Sequence, residues 1–203
     1  MNIGFTLPTA PIVIVDVEGN GQNPPDVVEI AIVTYPAQDS KAYASWLIKP
    51  DAPITWQVER IHGIDNAAVS LCPAWGEVQA EVQRHLEGKW FVAHNASVDY
   101  SVVKRHLPSW SPIGVIDTLK FSRHVYPNAS SHSLEAMLTL TGLRSQVSEQ
   151  LHRAGYDAYA TALLLDHLFK KSKASSWAEI CKIAQFNTAP ESQEPPPEQG
   201  SLW

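Results

Sequence analysis

Three apolar, strand-like segments follow one another near the start of the chain. Residues 12–15 are Ile-Val-Ile-Val, residues 27–33 are Val-Val-Glu-Ile-Ala-Ile-Val, and residues 41–48 alternate in character. β-Branched residues favour strands, and the short connections between the segments suit antiparallel neighbours. Pro50 and Pro53 end this region, because proline cannot donate to a sheet ladder. This part of the chain therefore predicts a three-stranded antiparallel meander.

Helical and strand-like segments alternate in the rest of the chain. Apolar positions at helical spacing predict helices over residues 73–86, 97–107, 118–125, 131–139, 154–169 and 177–184, and short apolar runs predict strands at residues 90–93 and 113–116. Three antiparallel strands followed by this alternation predict an α/β fold. Its sheet is expected to be mixed and five-stranded, with helices on both faces.

The length and composition indicate one globular domain. The 203 residues suffice for a substantial core, which we assign to residues 1–186, whereas residues 187–203 are rich in Pro, Glu and Gln and are predicted to be disordered. No apolar run reaches the ~20 residues of a membrane span, and the N-terminus lacks the features of a signal peptide. Cys72 and Cys181 lie far apart, as is typical of reduced thiols in a cytoplasmic protein.

Acidic residues and histidines cluster at three places, each beside an apolar element. These are Asp16-Val17-Glu18, residues 94–99 (His-Asn-Ala-Ser-Val-Asp) and residues 152–157 (His-Arg-Ala-Gly-Tyr-Asp). Taken singly, each could be a solvated strand end, a helix N-terminal acid or a surface histidine. Gathered in one site, their carboxylates would repel one another by roughly 4 kcal/mol per pair at ~4 Å and an effective dielectric of about 20. Divalent cations offset such repulsion, and oxygen ligands favour Mg²⁺ or Mn²⁺, so the set predicts a metal site that cleaves phosphodiesters.

The spacing of His152 and Asp157 constrains the start of the last long helix. On one continuous helix, residues five apart lie about 140° away from each other around the axis. Both side chains can reach one site only if His152 precedes the helix, and Gly155 makes a break there plausible. A loop histidine also suits a base that must accept a proton.

The three motifs, in this order, resemble the DnaQ-like DEDDh 3′–5′ exonuclease family. They are Asp-x-Glu at 16–18, His-Asn-Ala-x-x-Asp at 94–99 and His-x-x-x-x-Asp at 152–157, and the resemblance extends over residues 11–170. Further matches are Ile61–Ile64, Asp117–Leu119 and His132–Leu134. Within the family, residues 89–97, 151–154 and 176–179 are most similar to exonuclease X.

The resemblance implies an RNase H-like fold and a mechanism with two Mg²⁺ or Mn²⁺ ions. By motif, Asp16, Glu18 and Asp157 would bind metal directly, and Asp99 would help to hold the second ion. His152 would be the general base that takes a proton from the attacking water. The expected reaction releases nucleoside 5′-monophosphates from the 3′ end of DNA, and the suggested context is DNA repair.

Five further residues are candidates for substrate binding. Gly19 stands where the family usually has Thr beside the terminal nucleotide, so substrate preference is open. His62 is expected in a loop near the terminal base or in a structural role, and Asn95 could hold a loop or contact a nucleotide. Lys120 and Arg123 belong to the best local basic group, either as phosphate contacts or as a solvated helix face.

The net charge and the C-terminus bear on partners. The net charge is −6, of which Glu191, Glu194 and Glu198 contribute −3, so we expect a weak, salt-sensitive hold on nucleic acid. The chain ends with Gln199, Leu202 and Trp203 in the spacing of the bacterial sliding-clamp-binding peptide, although an unstructured end is the alternative. A clamp would raise the local concentration of DNA.

Two other functions are compatible with the sequence. The same chemistry could act on RNA or small oligonucleotides, or the domain could be a catalytically weak module that binds nucleic acid. The second alternative is disfavoured by the presence of all five expected catalytic residues, Asp16, Glu18, Asp99, His152 and Asp157.

Overall fold

A mixed β-sheet with helices on both faces organises the protein. The computed structural model describes residues 7–39, 42–147 and 152–188. Its strands are β1 (Ile12–Gly19), β2 (Val27–Tyr35), β3 (Tyr43–Leu47), β4 (Trp90–Ala93), β5 (Gly114–Asp117) and β6 (Gln185–Phe186). Its helices are α1 (Trp56–His62), α2 (Trp75–Leu86), α3 (Ala96–His106), α4 (Thr118–Val125), α5 (Leu134–Thr141), α6 (Ala154–Ser172) and α7 (Trp177–Ala184), with a 3₁₀ turn at Arg144–Gln146.

The strands are arranged in the order β3-β2-β1-β4-β5-β6. The first three strands form the predicted antiparallel meander, β4 and β5 continue the sheet in parallel with β1, and β6 is antiparallel to β5. The predicted fold class is confirmed, but the predicted count of five strands is wrong. β6 has only two residues, which is too short for any periodicity in sequence to reveal.

The alternation of β1 decides which residues face each helical layer. Ile12 and Ile14 pack in one core with α6, whereas Val13 and Val15 pack in a second core with α2 and α3. Since side chains alternate along a strand, Asp16 continues the row of Ile12 and Ile14. The end of β1 therefore presents its acids towards the layer that contains α6.

The helix bounds agree closely with the periodicity, with one omission. Helix α1 was not predicted, because two of its larger apolar residues, Trp56 and Ile61, are 63% and 55% exposed and form no buried stripe. None of the helices in the described ranges has the length and hydropathy that crossing a bilayer requires. Residues 189–203 lie outside the described residues, so the disordered tail and its boundary at residue 187 stay predictions.

Candidate active site

A cavity of about 320 Å³ opens at the carboxyl ends of β1 and β4. All five residues that the sequence predicts as catalytic contribute to its wall. The complete lining is Asp16, Val17, Glu18, His94, Asn95, Val98, Asp99, Ser133, Leu134, Glu135, His152 and Asp157. Three motifs that are far apart in sequence thus share one cavity.

Three carboxylates form the centre of this cavity. Asp16, Glu18 and Asp157 each offer an oxygen, and these atoms all lie within 4.8 Å of one another. Asp16 and Glu18 meet there because residues two apart on β1 share a face. Asp157 joins them from the first turn of α6. The three oxygens are close enough to share a cation.

Asp99 reaches the same cavity from the other helical layer. It lies in the first turn of α3, is buried, and accepts a hydrogen bond at Oδ1 from the Val17 N–H at 3.0 Å. Asn95 directly precedes the helix, and its left-handed backbone (φ 67°) is a conformation that asparagine tolerates. Its N–H donates to Asp117 Oδ1 at 3.0 Å. Asp99 is outside the group of three, and its bond fixes the backbone between Asp16 and Glu18.

His152 precedes α6, as its spacing from Asp157 requires. Its backbone is left-handed (φ 67°), and its N–H donates to Asp157 Oδ2 at 2.7 Å. This bond ties the loop to the first turn of the helix, while the imidazole is exposed at the cavity. The histidine is therefore placed to exchange a proton with a molecule bound beside the carboxylates.

Burial and mutual repulsion disfavour the ionised forms of these acids. Burial is the largest cause for each carboxyl group: it raises the pKa of Asp157 to about 6, that of Glu18 to about 7 and that of Asp99 to about 8. The pKa of Asp16 lies well above its usual range through burial and then through repulsion by Asp99 and Asp157. A divalent cation would stabilise the ionised group of acids, so the donor set fits such an ion.

We expect the metal-free protein to lose stability as the pH rises. In the unfolded chain these acids ionise near pH 4, but in the folded state they keep their protons up to about pH 6–8. The folded state then binds more protons between these limits, and the free energy of unfolding falls with rising pH. At this chain length each kcal/mol lowers Tm by roughly 2–4 °C.

Thermal unfolding in EDTA and in Mg²⁺ or Mn²⁺, from about pH 5 to about pH 8, measures this effect. Because cations bind the ionised carboxylates, their stabilisation should be larger at the higher pH. A Tm in EDTA that rises over this range, or metal shifts that are equal at both ends, would contradict the expectation.

Two of the predicted substrate residues lie beside the end of β1. Gly19 follows a register shift in the β1–β2 pair, and a Cβ on it would lie 3.2 Å from Pro25 Cβ. His62 is the last residue of α1 instead of a loop residue; it is 4% exposed, and its Nδ1 accepts from the Ile64 N–H at 3.0 Å. Neither residue lines the acidic cavity.

The other predicted contacts are divided between two places. Asn95 and Arg123 both line a second cavity of about 580 Å³, which shares His94, Asn95, Ser133 and Leu134 with the first. Lys120 lines neither cavity. Its Nζ donates to the Gln185 carbonyl oxygen at 3.3 Å and lies 5.8 Å from the centroid of the Phe186 ring. The structure thus gives Lys120 a contact with β6 at a place away from the acids.

Glu29 is a residue near the site that the sequence reasoning missed. It lies on β2 opposite Glu18, is buried, and contacts the start of α6 through Arg153. A single acid inside the apolar run 27–33 was the available signal. Such a run indicates a buried strand, whereas the role of its one acid depends on partners outside the run.

The fold and the group of carboxylates occur here in a class of protein that a family model identifies, the exonucleases. Residues 13–165 match the model of the exonuclease (RNase_T) family. The match covers well over half of the chain, so the protein belongs to this family. The predicted resemblance to DnaQ-like 3′–5′ exonucleases is thereby confirmed.

Individual relatives agree with this assignment. Exodeoxyribonuclease 10 of Escherichia coli K12 is 34% identical over 148 residues, covering 72% of this chain and 63% of the relative. The 3′–5′ exonuclease DinG of Bacillus subtilis is 31% identical over 182 residues, covering 86% of this chain but only 19% of the relative. The chain thus spans less than two thirds of either protein.

Solved structures extend the comparison to the fold. Exonuclease X in complex with 5′ overhanging duplex DNA superposes with a TM-score of 0.62 at 32% identity, covering 83% of this chain and 98% of that one. An E. coli ExoI–ssDNA complex has a TM-score of 0.68 at 18% identity, covering 82% and 41%; at that identity the likeness concerns the fold alone. The predicted similarity to exonuclease X is confirmed.

Proposed function

We propose that this protein is a divalent-metal-dependent 3′–5′ exonuclease that degrades DNA to nucleoside 5′-monophosphates. The observation that carries the proposal is the group of Asp16, Glu18 and Asp157, whose oxygens lie within 4.8 Å of one another in a chain of the exonuclease family. DNA is favoured as substrate because exonuclease X, at 32% identity, was solved in complex with duplex DNA.

Two Mg²⁺ or Mn²⁺ ions are proposed. They would be held by Asp16, Glu18 and Asp157, and Asp99 would support the second ion. When bound, such ions supply positive charge at the scissile phosphate and lower the pKa of water. His152 accepts a proton from the attacking water. Its backbone bond to Asp157 Oδ2 keeps the imidazole and the carboxylate together.

Substrate contacts are proposed on both sides of the acids. Gly19 and the underlying His62 would shape the position of the terminal nucleotide, and Asn95 and Arg123 would line the path of the preceding phosphates. The cavity that Arg123 lines shares four residues with the acidic cavity. This supports a phosphate contact by Arg123. Lys120 is a weaker candidate, because it already contacts Gln185 and Phe186.

Digestion of 5′-end-labelled DNA and RNA of one sequence tests the function. We expect a ladder that shortens from the 3′ end in Mn²⁺ or Mg²⁺, faster turnover of DNA than of RNA, and no products in EDTA. Mononucleotide products with a 5′-phosphate complete the assignment. Faster cleavage of RNA would favour the exoribonuclease alternative, and binding without any cleavage would favour the weak binding module.

A sliding clamp is proposed as a second partner, bound through Gln199, Leu202 and Trp203, which lie outside the described residues. Strand β6 supports this proposal by its direction. It pairs Gln185 with Ile116 and Phe186 with Val115, so the chain runs towards the amino end of β5 and away from the acidic cavity. Residues 187–198 could span at most about 40 Å when extended, which leaves room for a clamp beside the enzyme.

Deletion of residues 199–203 tests the clamp interaction. The shortened protein should no longer co-elute with a bacterial sliding clamp but should keep its activity on short oligonucleotides. Co-elution that survives the deletion, or is absent in the parent protein, would remove this proposal.

The cytoplasmic location stays a prediction from the cysteine content.

A further inference from the structure

Glu29 is a charged side chain at a place where the sheet is otherwise apolar. Every residue of β2 before its exposed Thr34 is buried, and Glu29 itself is 6% exposed. It also lies opposite Glu18 in the β1–β2 ladder, so it adds a further carboxylate next to an acidic cavity. Burying a charge is unfavourable unless it is paired and hydrogen-bonded, and the partners of Glu29 are therefore informative.

All the hydrogen bonds that the described residues give the Glu29 side chain come from the start of α6. Arg153 donates from Nε to Oε2 and from Nη2 to Oε1, both at 2.9 Å, and the Ala154 N–H donates to Oε2 at 3.1 Å. The forked contact fixes the guanidinium in orientation as well as in position. Glu29 thereby attaches the first residues of the helix to β2.

The backbone of Arg153 connects this contact to the residues of the acidic cavity. Its carbonyl oxygen accepts from the Tyr156 N–H at 2.9 Å and from the Asp157 N–H at 3.1 Å. Its neighbour His152 donates its own N–H to Asp157 Oδ2 at 2.7 Å. A displacement of Arg153 would therefore move both Asp157 and His152 relative to β1.

A second contact locates the same turn against β3. A Cβ on Gly155 would lie 2.4 Å from the Tyr43 ring carbons Cε2 and Cζ, so any larger residue there would displace the ring. With glycine at residue 155, the first turn of α6 packs directly against the Tyr43 ring of β3. Two strands, β2 and β3, thus define where the helix begins.

We propose that the Glu29–Arg153 pair is a positioning device, which holds His152 and Asp157 in register with Asp16 and Glu18. The proposal rests on the proposed function, since it concerns the geometry of the same site. Stability alone is a poor reason for the pair, because well-packed apolar residues often stabilise a core as much as a buried ion pair does. The fixed direction of a forked bond is what an apolar pair would lack.

The test measures metal binding and turnover in Glu29→Gln, Arg153→Met and Arg153→Lys. Mn²⁺ binding is followed by electron paramagnetic resonance, and kcat and KM are measured on a short DNA oligonucleotide at saturating Mn²⁺. Loss of residues that orient metal ligands typically lowers metal affinity or activity about 10–100-fold. We expect losses of this size in Mn²⁺ affinity and kcat for Glu29→Gln and Arg153→Met, whereas KM should stay within about threefold of the parent value. Arg153→Lys keeps the charge but loses the forked hydrogen bond, so its Mn²⁺ affinity and kcat should be intermediate.

The matched control is Lys170→Met, which breaks an ion pair on the same helix. Lys170 lies 2.5 Å from Asp166, far from the first turn, so its loss should leave Mn²⁺ affinity and kcat unchanged. The double variant Glu29→Gln/Arg153→Met should be no worse than the more impaired single variant, because residues that act as a unit are not additive.

Three outcomes decide the proposal. Weakened Mn²⁺ binding in the Glu29 and Arg153 variants, with the control unchanged, supports it even if the parent protein lacks nuclease activity, in which case only the proposed function fails. A lower Tm with unchanged Mn²⁺ affinity and kcat would reduce the pair to a structural ion pair and overturn it. If Glu29→Gln and Arg153→Met do not fold, parent-like Mn²⁺ affinity in Arg153→Lys overturns it, and a loss supports it.

Discussion

Replacement of Asp16 by Asn is expected to lower turnover by at least about 10³-fold. Cations at such a site contribute several kcal/mol to the stabilisation of developing charge, and each 1.36 kcal/mol is a factor of ten in rate. Asp16 lies centrally in this site: it belongs to the group within 4.8 Å, and repulsion from Asp99, Asp157, Glu18 and Glu29 raises its pKa after burial. Initial rates on end-labelled DNA measure the loss.

The same substitution should have the opposite effect on the stability of the metal-free protein. Asp16→Asn would remove one buried ionisable group and its repulsion with the neighbouring acids, so Tm in EDTA near pH 8 should rise. Glu87→Gln, which makes the same change of carboxyl to amide at an exposed acid directly after α2, is the control and should alter neither property. Turnover within about tenfold of the parent protein would show that Asp16 is dispensable.

Replacement of His152 is expected to lower turnover by about 10²–10⁴-fold, the range for a lost general base. The backbone at this position is left-handed, which alanine adopts poorly, so His152→Ala combines the loss of the imidazole with backbone strain. Asparagine tolerates this conformation. His152→Asn therefore isolates the chemical effect, and His152→Ala should lose at least as much activity.

Metal binding separates this effect from damage to the site. The bond from residue 152 to Asp157 Oδ2 is made by the backbone N–H, so His152→Asn should keep the rise in Tm that Mn²⁺ produces. His124→Ala, at an exposed histidine of α4, should retain full activity. A His152→Asn variant within about threefold of the parent protein would place the base elsewhere.

The two sets of variants distinguish the roles of the acids from those of their support. Asp16→Asn should lower turnover and weaken the stabilisation by metal, whereas His152→Asn should affect turnover alone. Variants of Glu29 and Arg153 should reduce both properties by smaller factors. The order of these losses therefore maps the site from the carboxylates outwards.

Much of the fold was accessible from local patterns. The β-branched runs gave β1 and β2, the alternation gave β3, and short apolar runs gave β4 and β5. The helical spacing gave six of the helices within a few residues of their observed ends. Elements with weak local signals were missed. Helix α1 has an exposed Trp56, and β6 is held by its contacts with β5 and Lys120.

In the candidate site, too, residues with a local sequence signal were predicted, and roles that depend on tertiary contacts were not. The motifs identified Asp16, Glu18, Asp99, His152 and Asp157 because their spacing along the chain matches a family pattern. The roles of Lys120 and Glu29 depend on distant partners. The side chain of Glu29 bonds a residue 124 positions away, and no local pattern specifies such a contact.

The sequence by itself determined which residue types stand at the ends of which elements, because side-chain periodicity and motif spacing are local properties. Only the tertiary structure decided that these ends meet. Asp99 arrives from the helical layer on one face of the sheet and Asp157 from the layer on the other, and both reach the end of β1. The packing of two separate cores against one strand produces that meeting, and it sets the burial that raises the pKa values of the acids.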